Sequence, residues 1–236
     1  MTTFLALHYW AGSGREYEAV RALLPATARL LAPDLPGFGG QAVPKGFDFS
    51  VAHYADWLGA FIAHNELTSF TLLGHSMGGK IAMALAARRP AGLRRLLLLS
   101  PSPPTPEPIT DADRAAALAA YGQPVAAEKT FRNITEKPLP ADLHRLVVAD
   151  NLRTTRPAWD AWLSHGSRED ISGLMSGIEV PCTVLVGAHD RAITAATQRQ
   201  HTLPWLPANT RLHVESATGH LLPLEVPAVV ADLALQ

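Results

Sequence analysis

The chain lacks the features that mark disulfide-rich, nucleic-acid-binding and membrane-spanning proteins. Its 236 residues include one cysteine, which excludes an internal disulfide and a cysteine-based zinc cluster. Lys and Arg number 20 against 21 Asp and Glu, so no surplus charge favours nucleic acid or an anionic membrane. No apolar run approaches the ~18–20 residues of a membrane span, and no charged N-terminal region precedes a long apolar stretch. These absences predict a soluble cytoplasmic protein.

What the chain does have is apolar sequence in short, regularly spaced runs. Hydrophobic residues make up 47% of it, enough for a sizeable core. Cys182 opens one of the runs, which predicts a packed thiol. Strands are predicted at 4–9, 28–32, 70–73, 93–99, 181–186 and 210–215. Helical patterns are predicted at 15–24, 51–65, 195–203 and 221–235, and directly after the strand at 70–73.

The alternation of strands and helices predicts the fold class. No two strands are joined by a turn of hairpin length, so the strands must pair in parallel through crossovers. We therefore expect an α/β fold, a mostly parallel six-stranded sheet with helices on both faces. In such sheets the ligand crevice lies beyond the carboxyl ends of the strands.

One long segment, 101–172, breaks this alternation. It opens with five prolines in the eight residues 101–108, which cannot form the interior of a helix or strand. A capping-box pattern at Thr110 and Asp113 then predicts the first of several helices. We predict a helical lid inserted into a core of 1–100 and 173–236. An independent second domain is the alternative, although some 70 residues are few for a separate core.

The core is organised around Gly74-His75-Ser76-Met77-Gly78. A buried strand precedes this segment and an amphipathic helix follows it, so the chain must turn sharply at Ser76. Glycines two residues before and two after Ser76 remove side chains that would collide in the turn. This is the pattern of a nucleophile elbow, which exposes the serine hydroxyl at a helix N-terminus.

A serine nucleophile needs a base, and the base needs an orienting carboxylate. Asp190 follows the fifth strand and His220 follows the sixth, which gives the chain order expected with an elbow serine. His189 is the nearest rival base. Asp34 is the competing acid, but its Asp-Leu-Pro-Gly sequence is typical of a turn.

The remaining site residues are predicted from position. An oxyanion hole needs two backbone N–H donors, and we assign Met77 and, in the loop after the first strand, Trp10. Tyr9 in the same loop, with Trp159 and Trp162 in the lid, are candidate substrate-binding residues. Packing within the lid is an equally good explanation for the two tryptophans.

These motifs resemble the α/β-hydrolase fold superfamily, in its lid-bearing, serine esterase-like branch. The resemblance covers nearly the whole chain outside 101–172. It rests on Gly74–Gly79, Asp34–Gly39, Gly187–Asp190 and Gly219-His220. Members usually carry His-Gly after the first strand, whereas His8 is followed here by Tyr9. The first predicted strand is already a parallel one, so we expect six strands without the family's two additional N-terminal antiparallel strands.

The resemblance and the triad together predict a serine hydrolase that acts on small carboxylic esters or lactones through an acyl-enzyme. No cofactor or metal is implied, and the expected partner is a small-molecule substrate. Carbon–carbon bond hydrolases, perhydrolases and lyases resemble this frame and share its triad, so they remain alternatives. A ligand-binding receptor on the same fold is a third possibility.

Overall fold

The computed structural model describes residues 2–236, and its centre is a six-stranded sheet. The strand order is β2-β1-β3-β4-β5-β6, and all five neighbouring pairs are parallel. The strands are β1 (Thr3–Leu7), β2 (Arg29–Leu31), β3 (Phe70–His75), β4 (Leu93–Leu99), β5 (Cys182–Gly187) and β6 (Arg211–Glu215). The predicted α/β class and strand number are confirmed, and β6 lies at a sheet edge.

Helices cover both faces of this sheet. They are α1 (Glu18–Leu23), α2 (Val51–His64), α3 (Met77–Ala87), α4 (Asp111–Ala119), α5 (Pro124–Ile134), α6 (Ala141–Arg153), α7 (Arg156–Ser164), α8 (Ala195–Thr197), α9 (Leu222–Glu225) and α10 (Pro227–Leu235). Successive residues of β1 point to opposite faces. Leu5 and Leu7 accordingly pack with α2 and α3, whereas Phe4 and Ala6 pack with α1 and α10.

Four helices, α4 to α7, separate β4 from β5. The segment is helical, as predicted, and the N-cap of α4 is Thr110, whose hydroxyl accepts from the Asp113 N–H at 3.1 Å. Trp159 and Leu163 of α7 pack with Ala117 and Leu118 of α4, and α5 packs on α6. These helices therefore contact one another and also contribute side chains to the site described below.

The structure corrects three predicted helices at their proline residues and their ends. The helix predicted over 221–235 is two helices, because Val226 leaves helical geometry and Pro227 starts α10. The segment predicted over 195–203 is α-helical only in α8. It continues as a π-helical turn and then a 3-10 turn that contains Pro204, which has no N–H to donate. The segment from Gly14 to Tyr17 is likewise a 3-10 turn before α1.

The one cysteine is a packed residue of the sheet. Cys182 is 3% exposed, and burial raises the pKa of its thiol to about 12. The thiolate is therefore disfavoured at neutral pH, as expected for a structural thiol. Separately, no helix within residues 2–236 has both the length and the apolar character to cross a membrane.

Candidate active site

Ser76 occupies the sharp turn between β3 and α3. Its backbone has φ 53° and ψ −117°, a conformation that L-residues rarely adopt. A Cβ added at Gly74 would lie 2.6 Å from the Gly78 carbonyl oxygen, and one added at Gly78 would lie 2.6 Å from the His8 carbonyl oxygen. Both glycines are therefore required by close backbone approach, and the elbow geometry predicted from the sequence is present.

This crowding gives a prediction for Gly78→Ala. Its nearest obstacles are backbone atoms of β1 and the following loop, which cannot rotate away as a flexible side chain could. We expect a loss of about 1–3 kcal/mol in the free energy of unfolding, typical of forced overpacking. Urea titration of the variant measures it. Gly59→Ala is the matched control, because nothing lies within 4 Å of a Cβ there and alanine is a better helix former. An equal loss in both variants would contradict the explanation.

Asp190 and His220 meet at the same edge of the sheet. The loop after β5 holds Asp190 and the loop after β6 holds His220, and their side chains are 0% and 4% exposed. His220 Nδ1 donates to Asp190 Oδ2 at 2.7 Å. The other carboxylate oxygen, Oδ1, accepts from the Ala192 and Ile193 N–H groups at 2.8 and 2.9 Å. The carboxylate is thus both a loop cap and the partner of the imidazole.

The two side chains shift each other's pKa. Burial alone would lower the pKa of His220, but the charge and hydrogen bond of Asp190 outweigh burial and raise it above its ordinary value. Burial alone would raise the pKa of Asp190, but His220 and the hydrogen bonds to the carboxylate lower it. The pair therefore favours an ionised carboxylate beside an imidazole that readily accepts a proton.

Ser76 and His220 line one cavity. With Nδ1 committed to Asp190, Nε2 is the nitrogen of His220 left for a nucleophile. Within residues 2–236 no hydrogen bond joins this imidazole to the Ser76 hydroxyl. Such bonds are often long without substrate and tighten in the reactive complex.

The two backbone N–H groups assigned to an oxyanion hole belong to Met77, directly after Ser76, and to Trp10, which lines the same cavity as Ser76. Neither Met77 N–H nor Trp10 N–H has a protein acceptor within the described part of the chain. Met77 begins α3, where the helix dipole also favours negative charge. The loop of Trp10 is held by His8, whose Nδ1 donates to the Tyr9 carbonyl oxygen at 2.7 Å and whose Nε2 accepts from the Leu35 N–H at 3.0 Å.

A buried Glu16–His75 pair beside His220 was not predicted from the sequence. His75 Nε2 lies 2.8 Å from the His220 carbonyl oxygen, so this nitrogen must carry the proton. Burial lowers the pKa of His75 to about 3, so Nδ1 is an acceptor. It lies 3.1 Å from Glu16 Oε1, and burial raises the pKa of that carboxyl well above its ordinary value. A neutral Glu16 therefore donates to His75, which in turn donates to the main chain of His220.

The other sequence candidates lie in different surroundings. His189 is half-exposed, with Nδ1 3.0 Å from Glu136 Oε1, and does not contact Asp190 by its side chain. Asp34 accepts from the Gly14 and Gly40 N–H groups, which is the turn chemistry expected of it.

Tyr9, Trp10 and Trp162 line the cavity together with Ser76 and His220. Trp159 is not among the lining residues. Its ring lies 4.2 Å from that of Trp10 by centroid, and its Nε1 donates to the Ala117 carbonyl oxygen. This tryptophan therefore packs within the α4–α7 segment and supports Trp10 from behind.

The cavity measures about 390 Å³ and is mostly apolar. Most of its wall comes from 101–172. The aliphatic and phenyl side chains that line the cavity are Ile109, Ala117, Ala127, Phe131, Ile134, Val147, Leu163, Ala192 and Ile193. Within residues 2–236, no group of three or more His, Cys, Asp and Glu side chains is arranged to hold a metal ion. A small apolar molecule with few polar groups fits this lining.

Residues 4–233 match the family model described as the Alpha/beta hydrolase family. The chain belongs to this family, and its relatives include esterases and hydrolases. One curated relative, the 2-succinyl-6-hydroxy-2,4-cyclohexadiene-1-carboxylate synthase of Enterobacter sp. (strain 638), is 30% identical over 98% of this chain and 89% of its own. The pimeloyl-[acyl-carrier protein] methyl ester esterase of Neisseria meningitidis is 30% identical over 80% and 75%.

Solved structures agree on the fold. An esterase from Exiguobacterium antarcticum superposes with a TM-score of 0.90 over 100% of this chain and 91% of that one, at 20% identity. The family match and the esterase relative, rather than this likeness of fold, show that the chain is a hydrolase of the ester-hydrolase-like type, as the sequence predicts.

Proposed function

We propose that the chain is a serine hydrolase of small carboxylic esters or lactones, with Ser76 as nucleophile, His220 as base and Asp190 as its orienting acid. The observation that carries this proposal is the 2.7 Å bond between His220 Nδ1 and Asp190 at the wall of the cavity that also contains Ser76. A serine on an elbow at the cavity wall, a buried imidazole and its carboxylate are the parts that acyl transfer requires.

The reaction follows from the roles of these groups. Ser76 Oγ attacks the ester carbonyl carbon while His220 Nε2 takes its proton, and Asp190 stabilises the resulting imidazolium. The N–H groups of Met77 and Trp10 bind the oxyanion. His220 then protonates the leaving alcohol as the C–O bond breaks, which leaves an acyl-Ser76. Water attacks the acyl group with His220 again as base, releasing the acid and restoring the serine.

We also propose that 101–172 is the cap that selects the substrate. This segment supplies most of the cavity wall, including Trp162 and Phe131. The proposed catalytic residues, in contrast, lie in the turns and loops that follow strands of the sheet. Because most of this wall is apolar, a bound ester is surrounded largely by apolar side chains, and the low local dielectric strengthens the polar interactions at its carbonyl.

Ester hydrolysis is favoured over the chemistry of the synthase relative by the charges at the cavity. The product in that relative's name is a carboxylate, and an anionic ligand is usually bound by Arg or Lys. Within residues 2–236 neither of these residue types lines the cavity, whereas Glu107 and Asp113 do.

A fluorophosphonate probe and two substrate series test this function. The wild-type chain should be labelled once, at Ser76, and should hydrolyse p-nitrophenyl esters of short acids faster than β-diketones. Faster cleavage of β-diketones would instead assign carbon–carbon bond hydrolysis to the same triad. Absence of labelling and of turnover would favour a ligand-binding protein.

A further inference from the structure

Glu107 is a carboxyl at the wall of a mostly apolar cavity. It is half-buried and lies between two prolines, Pro106 and Pro108, which restrict its backbone. Its N–H donates to the Ser167 carbonyl oxygen at 2.8 Å, and its own carbonyl accepts from the Ile109 N–H at 2.8 Å. The main chain of Glu107 is thus fixed at the wall of the cavity that Ser76 and His220 also line.

No cation neutralises this carboxyl within 4 Å among residues 2–236. Burial has the largest effect on the pKa of this carboxyl and raises it, whereas three basic groups, Lys80, His220 and Arg114, lower it. Of the three, only His220 lines the cavity. Lys80 Nζ donates to the Thr105 and Glu169 carbonyl oxygens. Arg114 Nη1 donates to the Leu163 carbonyl oxygen and to Ser167 Oγ. Among the residues that line the cavity, a ligand therefore meets the Glu107 carboxyl but neither Lys80 nor Arg114.

We propose that Glu107 is a specificity-determining residue that disfavours acyl groups carrying a negative charge and leaves neutral or cationic acyl groups as substrates. Like-charge juxtaposition in a low-dielectric site is among the strongest ways to reject a ligand. Asp113, exposed at the start of α4, adds charge of the same sign at the wall. This inference rests on the proposed function, because it concerns the substrate of the same site.

Three p-nitrophenyl esters of matched length test it: pentanoate, the glutarate monoester and trimethylammonio-butanoate, which are neutral, anionic and cationic. At alkaline pH, the wild-type kcat/KM should be lowest for the anionic ester. Glu107→Gln should shrink the ratio of neutral to anionic kcat/KM about tenfold, since it removes one close charge and keeps the shape. Glu179→Gln, an exposed acid outside the cavity, is the matched control and should leave the ratio unchanged.

The outcomes separate this inference from the proposed function. If no ester is turned over and no phosphonate is bound, the proposed function fails. If the neutral ester is hydrolysed but Glu107→Gln keeps the wild-type ratio, only the role of Glu107 is overturned. Asp113→Asn tests whether Asp113, rather than Glu107, disfavours the anionic ester. If the ratio of neutral to anionic kcat/KM changes in that variant alone, the assignment to Glu107 is also refuted.

A second buried acid, Glu225, joins the His220 loop to the cap. Its carboxyl accepts four backbone N–H groups. Two flank His220, from Gly219 at 3.0 Å and Leu221 at 3.2 Å. The other two, Glu136 and Lys137, follow α5 and donate at 3.0 and 2.8 Å.

The backbone of the loop is docked to the same segment. His220 N–H donates to the Ile134 carbonyl oxygen at 2.8 Å, at the last residue of α5. A Cβ at Gly219 would lie 2.8 Å from that oxygen and 2.8 Å from Glu136 N, so the two chains are in direct contact. The cap and the imidazole loop therefore share one hydrogen-bonded junction centred on Glu225.

From this junction we infer that Glu225 is a positioning residue, which fixes the imidazole of His220 relative to Ser76 through the main chain. A displacement of about 1 Å at a reacting group can cost on the order of 10²-fold in rate. Like the assignment of Glu107, this inference presupposes the triad. It differs in that it predicts an effect on the chemical step for every ester, whatever its charge.

Glu225→Gln places an NH₂ group among four backbone donors and should lower kcat about 10–100-fold, with KM changed little. The rate of fluorophosphonate labelling should fall in parallel, because labelling needs the same base. Asp232→Asn, on the exposed side of α10, is the control. Both variants are measured well below their unfolding temperatures. A lower unfolding temperature with unchanged kcat and labelling rate would show a purely structural role and overturn the inference.

Discussion

Replacement of Ser76 by alanine is expected to abolish ester hydrolysis, with kcat lower by ~10⁴–10⁶-fold, as in other enzymes that lose a triad serine. The physical reason is that no other group can form the acyl-enzyme. Any residual rate would come from the oxyanion donors and from binding, which persist in the variant. The measurement is kcat for a neutral p-nitrophenyl ester, together with loss of phosphonate labelling.

The variant should still fold. The Ser76 side chain makes no hydrogen bond within residues 2–236, and alanine differs from serine only by the hydroxyl, so the turn strain is little changed. The free energy of unfolding should change by less than about 1 kcal/mol. Ser69→Ala, at the opposite end of β3, is the matched control and should keep full activity. A Ser76→Ala protein that retains wild-type kcat would refute the proposed nucleophile.

The parts of the site that could be predicted are those fixed by local chain geometry. A glycine-flanked serine between a buried strand and a helix has few conformations available, so the elbow follows from five residues. Asp190 and His220 follow because parallel strands bring their carboxyl ends to one edge.

Strand order and the tertiary partners could not be predicted in this way. Glu16 and His75 are 59 residues apart, and Glu225 bonds residues 88 and 89 positions away. Nothing local in the sequence marks these acids as buried, since Glu is mostly an exposed residue. The role of such an acid becomes visible only when the folded structure shows that its carboxyl is buried and which groups hydrogen-bond to it.

The same reason explains why Trp159 and Trp162 could not be told apart. They lie three residues apart on α7, so both were expected near the same surface. The structure buries both, yet only Trp162 lines the cavity, because Trp159 packs on Trp10. A small rotation of α7 about its axis decides which tryptophan faces the cavity, and the hydrophobic pattern of the sequence does not predict that rotation.

Replacement of Asp190 by asparagine is expected to lower kcat by about 10⁴-fold through the wrong imidazole tautomer. The carboxylate Oδ1 accepts from Ala192 and Ile193, so the amide oxygen of asparagine can take over these two bonds. The amide NH₂ then faces His220 Nδ1 and can only donate. The imidazole must therefore carry its proton on Nε2, which can no longer accept the proton of Ser76.

The variant should also change the pH dependence of kcat/KM in a defined direction. The base must be neutral, so activity falls as the pH drops through the pKa of His220. In the wild type Asp190 outweighs burial and raises that pKa, so the acid inflection should lie above the ordinary pKa of a histidine. Without the negative charge, burial dominates and the inflection should move to lower pH. Asp56→Asn, on the exposed face of α2, should keep the wild-type profile. An unshifted inflection in Asp190→Asn, with kcat near the wild-type value, would show that another acid orients the imidazole.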